Sequence, residues 1–317
     1  MKKKGLMFIV GVVILSGIFG GCVGAPVERN ENHQNLPDIN DYDAIFVGED
    51  HSNAESFIIE LDLMKYYYNL GIRDFAFEFG SGTVLLLQYY LETGEEECLE
   101  VVFNNLKGTA ICSLEAFQFW KDIYAWNLTL DEKVKLYGFD VEHQYMNGIS
   151  AMWLFILRKY ERIDGIPMIT ARGNRSDLIN DFKNNPNRYS IISDEDLILL
   201  EKLILNAEQA ENYYSSSNSI HIREQYMIDN FLNIIENISG QKIFAIMGSD
   251  HSSLTGYALF PETLSMANVL KEKIKIASIA LHPYEKPDEW PYTIIVNSGV
   301  KTTPYDSNYN GRWPFSL

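Results

Sequence analysis

The chain has 317 residues, 46% of them hydrophobic, and sets 43 acidic residues against 26 basic ones for a formal net charge of −17. That length and apolar content suffice for one large domain with a sizeable core. The acidic excess argues against nucleic acid as a partner; it suits solubility outside the cell and would favour cationic ligands or metals, although acidic surfaces are usually only solvated faces.

Residues 1–22 read as a targeting segment. Lys2, Lys3 and Lys4 form a basic start, Leu6 to Phe19 an apolar stretch too short and glycine-broken for a comfortable span, and Gly20-Gly21-Cys22 follows. The pattern resembles a lipoprotein signal, cleaved before a Cys that then carries lipid, so the expectation is export, lipidation at Cys22 and anchoring to the cell membrane. An ordinary secretory signal and an uncleaved anchor are the alternatives. Residues 23–40, polar and carrying Pro26 and Pro37, read as a flexible tether, and residues 41–317 as a single α/β domain. Cys98 and Cys112 stay in that domain, where an oxidising compartment would permit but not require pairing.

Strand and helix signals then alternate. An apolar run ends at Val47, and helical spacing runs from Ala54 to Leu70 until Gly71 stops it. Asp74 to Phe79 is a second strand, Thr83 to Leu91 a helix, and helical patterning continues to about Leu128. Lys133 to Phe139 is the third strand. Residues 148–237 are mostly helical, interrupted at Gly165-Ile166-Pro167, Asn184-Asn185-Pro186 and Ser215-Ser216-Ser217, and read as a helical insertion or cap. Gln241 to Met247, Lys275 to Leu281 and Tyr292 to Val296 complete six strands. The fold class expected is α/β, a central parallel or mixed sheet flanked by helices.

Two segments nearly repeat each other. Ala44-Ile45-Phe46-Val47-Gly48-Glu49-Asp50-His51-Ser52 and Phe244-Ala245-Ile246-Met247-Gly248-Ser249-Asp250-His251-Ser252 each join an apolar run to Gly-x-Asp-His-Ser. Each is expected to end a buried strand, turn at the Gly and present its acid and imidazole at the sheet edge where ligands of α/β proteins bind. Glu78 closes the second strand, Asp140, Glu142 and His143 follow the third, and His282 follows the fifth. Glu78, an ionisable group in an apolar strand end, is expected to have a raised or strongly coupled pKa. Arg223 shares a helix face with Met227 and Asn230 and is suited to neutralising a buried carboxylate or holding an oxyanion.

The two Gly-x-x-His motifs, with Glu78 between them and an Arg-x-x-x-Met helix ahead of the second, resemble the superfamily that contains erythromycin esterases, ChaN-like haem-binding lipoproteins and Tiki-type metalloproteases. Gly48-Glu49-Asp50-His51-Ser52-Asn53 is similar to the first motif of the ChaN-like branch, and Tyr137-Gly138-Phe139-Asp140 to a segment of the esterase-like branch. The resemblance implies a hydrolase in which His51, positioned by Glu49 or Glu78, is a general base on water, with His251 and Arg223 on the oxyanion or leaving group. Asp140 and His143 complete the candidate catalytic set. A metal-assisted version would use His51, Glu78 and His251 as ligands of a divalent ion. The alternative is a lipoprotein that binds haem or an iron ligand without catalysis, through an aromatic oxygen.

Overall fold

The computed structural model describes residues 36–160, 175–238, 240–256, 264–282, 292–296 and 300–305. Cys22 and the segment around it, and the break read at residues 165–167, lie outside these. Six strands form one sheet, all parallel: β1 (Ala44–Glu49), β2 (Asp74–Phe77), β3 (Lys135–Gly138), β4 (Ile243–Gly248), β5 (Ile276–His282) and β6 (Tyr292–Ile295), in the order β3-β2-β4-β1-β5-β6. Each of the six strands lies where the apolar runs place one.

The apolar runs are continuous rather than alternating because both faces of the sheet are covered. Every residue of β1 and of β4 is buried. Successive side chains point to opposite faces. Ile45, Val47, Phe75, Phe77, Phe244 and Ile246 join one core with α1 (Ala54–Asn69), α2 (Ser81–Thr93), α3 (Glu96–Asn105) and α4 (Leu114–Leu128). Ala44, Phe46, Ala76, Ala245 and Met247 join a second core. There they meet Met227, Ile228 and Phe231 of α8 (Ser219–Asn237) and Met266 and Leu270 of α10 (Met266–Leu270).

The stretch read as a cap divides into α5 (Tyr145–Phe155), α6 (Arg175–Asn184), α7 (Asp194–Ser215) and α8, with the described breaks at Asn184 and Ser215 where the sequence puts them. Its last helix is part of the sheet layer: Phe231 packs edge-on against Phe46 and Phe139, with ring centroids 5.1 and 5.7 Å apart. Of the stretch read as a tether, residues 36–40 are described, and they pack on the domain. Ile39 is buried in a short 3-10 turn, and the Tyr67 hydroxyl donates to the Pro37 carbonyl at 3.1 Å. Among the described residues no helix is long and apolar enough to cross a membrane. Cys98 and Cys112 are buried free thiols, their Sγ atoms donating to the Leu86 and Phe103 carbonyls.

Strand order positions the site. The chain steps outward from β1 to β2 and β3, and β4 then inserts between β2 and β1. The carboxyl ends of β2, β4 and β1 are therefore neighbours, and residues from distant parts of the sequence meet where the order reverses.

Candidate active site

The repeated motifs sit side by side but out of step. Val47 pairs with Ile246 and Glu49 with Gly248, so the two copies are offset by one residue in the ladder. In the first, the strand continues through Glu49 and His51 follows in a turn; in the second, α9 (Ser249–Ser252) starts directly after Gly248. A one-residue shift sends side chains to opposite sides. His51 therefore lines a cavity, whereas His251, 7% exposed, lies behind its wall.

The two glycines have a different reason from the sharp turn expected. Neither has a left-handed backbone; Gly248 has φ −57°. Each makes room for the other copy. A Cβ on Gly248 would lie 3.2 Å from His51 Nε2 and 3.4 Å from Glu78 Oε2, and one on Gly48 would lie 2.0 Å from Ser252 Oγ. Asp50 and Asp250 are exposed, and Asp50 takes the bland role of a turn residue, its carboxylate accepting from the Ser52 amide at 2.9 Å.

Glu78 is the hub. Its Oε1 accepts from Arg223 Nη2 at 2.5 Å and lies 3.2 Å from His251 Nε2, while Oε2 accepts from the Gly248 amide at 2.6 Å. Arg223 also grips Asp140 with two bonds, Nε to Oδ1 at 3.0 Å and Nη2 to Oδ2 at 2.6 Å, the fork geometry that suits a guanidinium to a carboxylate. Asp140 Oδ2 lies 3.1 Å from His143 Nε2, whose Nδ1 is 2.7 Å from the Tyr214 hydroxyl. Behind this layer His251 Nδ1 bonds Glu224, and at the cavity face His51 Nδ1 bonds Glu49. The structure thus brings His51, Glu49, Glu78, Arg223, Asp140 and His143 together around one cavity, with His251 supporting them from outside it. His282 lies on the β5–β6 side, paired in register with Ile295, and does not line the cavity.

The charges differ from those expected. Burial by itself would raise Glu78, but His251 and Arg223 outweigh it and hold its carboxyl well below the usual range, so of the two outcomes expected the strong coupling holds and the raised value does not. Asp140 is held low in the same way by Arg223 and His143. Burial would depress His51, yet the Glu49 carboxylate, with Glu78 and Glu60 behind it, pushes the imidazole up to about 10. His251, facing Glu78 and Glu224, is pushed up to about 9. Both imidazoles are therefore cationic at neutral pH.

The metal set His51, Glu78 and His251 does not present itself as ligands. Both Glu78 oxygens are taken by Arg223 and the Gly248 amide, His251 is placed between Glu78 and Glu224, and His51 Nδ1 is on Glu49. Among the described residues no group of three or more His, Cys, Asp or Glu is arranged to hold a metal ion.

The cavity measures about 250 Å³. Opposite the charged wall stand Phe57, Phe77, Phe79, Phe119 and Trp120, which rise from α1, from β2 and the turn after it, and from α4. Sequence reading missed two carboxylates here, Glu60 and Glu224. Glu60 lines the cavity from α1, where it falls at apolar spacing with Phe57, Leu61 and Met64. Glu224, 2% exposed, falls likewise with Met227, Ile228 and Phe231. A charged residue on a helix's apolar stripe is a readable signal. Glu142, placed by the sequence after the third strand, does not line the cavity but caps a helix. It accepts from the Thr83 amide at 2.9 Å and hydroxyl at 2.8 Å, capping α2, whose own preceding residue Gly80 offers no side chain. Burial pushes its carboxyl up to about 7.

Fold and site together define an α/β protein with a histidine–carboxylate pocket at the carboxyl edge of a parallel sheet. No family model matches the chain, and no curated protein matches it. Solved structures do. A succinoglycan biosynthesis protein superposes with a TM-score of 0.54 at 19% identity, covering 76% of this chain, which spans just under two thirds (66%) of that protein's length. A mutant of erythromycin esterase EreC in its open conformation superposes with a TM-score of 0.52 at 14% identity, covering 77% of this chain and 70% of that one. ChaN of Campylobacter jejuni, solved with haem bound, aligns over 80% of this chain and 88% of its own at 16% identity, with a TM-score of 0.37. The chain shares the fold of the esterase.

Proposed function

We propose that the cavity is the active site of a hydrolase acting on an ester or amide by activating water. The observation that carries this reading is His51. Its Nδ1 is fixed from behind by Glu49, and 37% of its side chain is exposed at the cavity face. An imidazole held by a carboxylate on one edge and open on the other is equipped to take a proton from water and return it to a leaving group. In the deprotonated form His51 Nε2 accepts a proton from water as the oxygen attacks the carbonyl carbon. Arg223 supplies positive charge beside the forming oxyanion, and His51 Nε2–H then protonates the departing oxygen or nitrogen. His251 acts through Glu78, as a positioning residue.

The haem-capture alternative draws less support from the cavity. The tyrosine that lines it, Tyr214, has its hydroxyl on His143 rather than turned toward an open apolar slot.

The test is a panel of ester and amide substrates, alongside haem titration, with wild type and His51→Ala. We expect His51→Ala to lower the rate on the order of 100- to 10,000-fold without unfolding the domain. Wild-type protein that hydrolyses nothing on the panel yet binds haem tightly, with His51→Ala unaffected, overturns the assignment. Export with lipidation at Cys22 is part of the same proposal: Cys22→Ser should move the protein from the membrane to the soluble fraction or stall its processing, and unchanged fractionation counts against it.

A further inference from the structure

Of the four carboxylates that line the cavity among the described residues, three face a basic side chain: Glu49 faces His51, Glu78 faces Arg223 and His251, and Asp140 faces Arg223. Glu60 has no such partner among the described residues. It is 1% exposed, and its buried Oε1 accepts no hydrogen bond. Leaving a carboxylate in that setting is costly unless a charge meets it.

The surroundings restrict what that charge would be attached to. Phe57 stands one turn away on α1, its ring 5.6 Å from that of Phe119, which is 5.7 Å from Trp120; Trp120 in turn lies 4.9 Å from Phe77. These rings form the wall beside Glu60, and a cation near aromatic faces gains from their quadrupoles. The titratable groups that act on Glu60 are Glu49 and His51. Burial, reinforced by the Glu49 charge and opposed by His51, holds the Glu60 carboxyl well above its usual range.

We propose that the cavity receives a ligand with a primary ammonium group on an apolar body, and that Glu60 is the residue that takes the ammonium. The ligand's cation supplies the counter-charge that the protein gives to the other three carboxylates and withholds from Glu60. Its apolar body lies along the phenylalanine and tryptophan wall, and a volume of about 250 Å³ sets its size to a small molecule. Because burial holds the Glu60 carboxyl high, charging it on binding is coupled to proton release. Glu60 releases its proton to solvent as the ammonium arrives with its own protons intact, leaving a carboxylate–ammonium pair. The inference names the ligand class of the cavity assigned above to hydrolysis and rests on that cavity being the ligand site, but its test reads binding, not turnover.

The experiment is calorimetric titration of the purified chain near neutral pH with benzylammonium and with benzyl alcohol as the neutral probe of similar shape. Each titration is run in two buffers of different ionisation enthalpy. We expect benzylammonium to bind at least about tenfold more tightly, in line with a desolvated charge pair with aromatic contacts, and to release about one proton. Glu60→Gln should abolish both the preference and the proton release. Equal binding of the two probes, no proton release, or a preference that survives Glu60→Gln overturns the proposal. If Glu60→Gln does not fold, the wild-type preference for benzylammonium over benzyl alcohol decides alone. Absence of hydrolysis on the substrate panel would sink the hydrolase assignment and leave this titration standing.

Discussion

At the residue scale the site is a set of charges that would each be expensive alone and are tolerable together. His51 and His251 have pKa values near 10 and 9, above their value of 6.5 in the unfolded chain. A raised histidine contributes stability that is fully present below about 6.5 and is lost as pH climbs through the folded value. For His251, buried between two carboxylates, the contribution is on the order of 3 kcal/mol. Glu142 works the same way at lower pH, losing stability between 4.5 and about 7. Glu78 and Asp140 are depressed, so their share is present above about 4.5 and lost on acidification. We therefore expect the melting temperature to peak in mildly acidic solution and to fall between about pH 6.5 and 10. His251→Gln should flatten that alkaline limb; melts from pH 4 to 10 that stay level above pH 8 in the wild type would refute the charge assignment. The same pKa governs turnover. With His51 as base, kcat/KM should keep rising above neutrality toward about pH 10, and a decline there would reverse its role to acid.

At the element scale the paired motifs show how one sequence pattern serves two purposes. Gly48 exists for the tight seat of α9 under β1, and Gly248 for the approach of His51 to Glu78. Gly248→Ala should displace His51 by a few tenths of an ångström, lowering activity about tenfold with little change in melting temperature. Gly48→Ala meets Ser252 Oγ and the Ser249 backbone, so it should destabilise by about 1–3 kcal/mol. Activity assays and thermal melts on both variants check this, and equal loss of stability in the two would show that the glycines do the same job. Helices α7 and α8 tie the end of β3 to the site through amides. Asn206 Nδ2 donates to the Asp140 carbonyl at 2.8 Å, and Asn230 Nδ2 to the Phe139 carbonyl at 3.1 Å. That lattice keeps Asp140 facing Arg223.

At the scale of the whole molecule, the described fold begins before the first strand. Ile39 and Pro37 pack against α1, so a chain starting at Leu36 should be more stable than one starting at Asp43 by about 2 kcal/mol, measured by denaturant unfolding. Equal midpoints would show that residues 36–42 contribute nothing. The sequence alone determined the six strands, because strands buried on both faces are written as unbroken apolar runs such as Ile243 to Met247. It placed Glu49, His51, Glu78 and Asp140 along one edge of the sheet, because each follows or closes an apolar run at the carboxyl end of a strand. It did not determine which imidazole faces the ligand. His51 and His251 stand in the same local pattern, and only the one-residue offset between β1 and β4, a product of how the strands pair across about two hundred residues, puts one at the cavity and the other behind it. Nor did it fix protonation. A histidine's charge depends on the carboxylates brought near it, and Glu60, Glu78 and Glu224 reach the imidazoles only through the crossing of α1, β2 and α8 over the sheet edge.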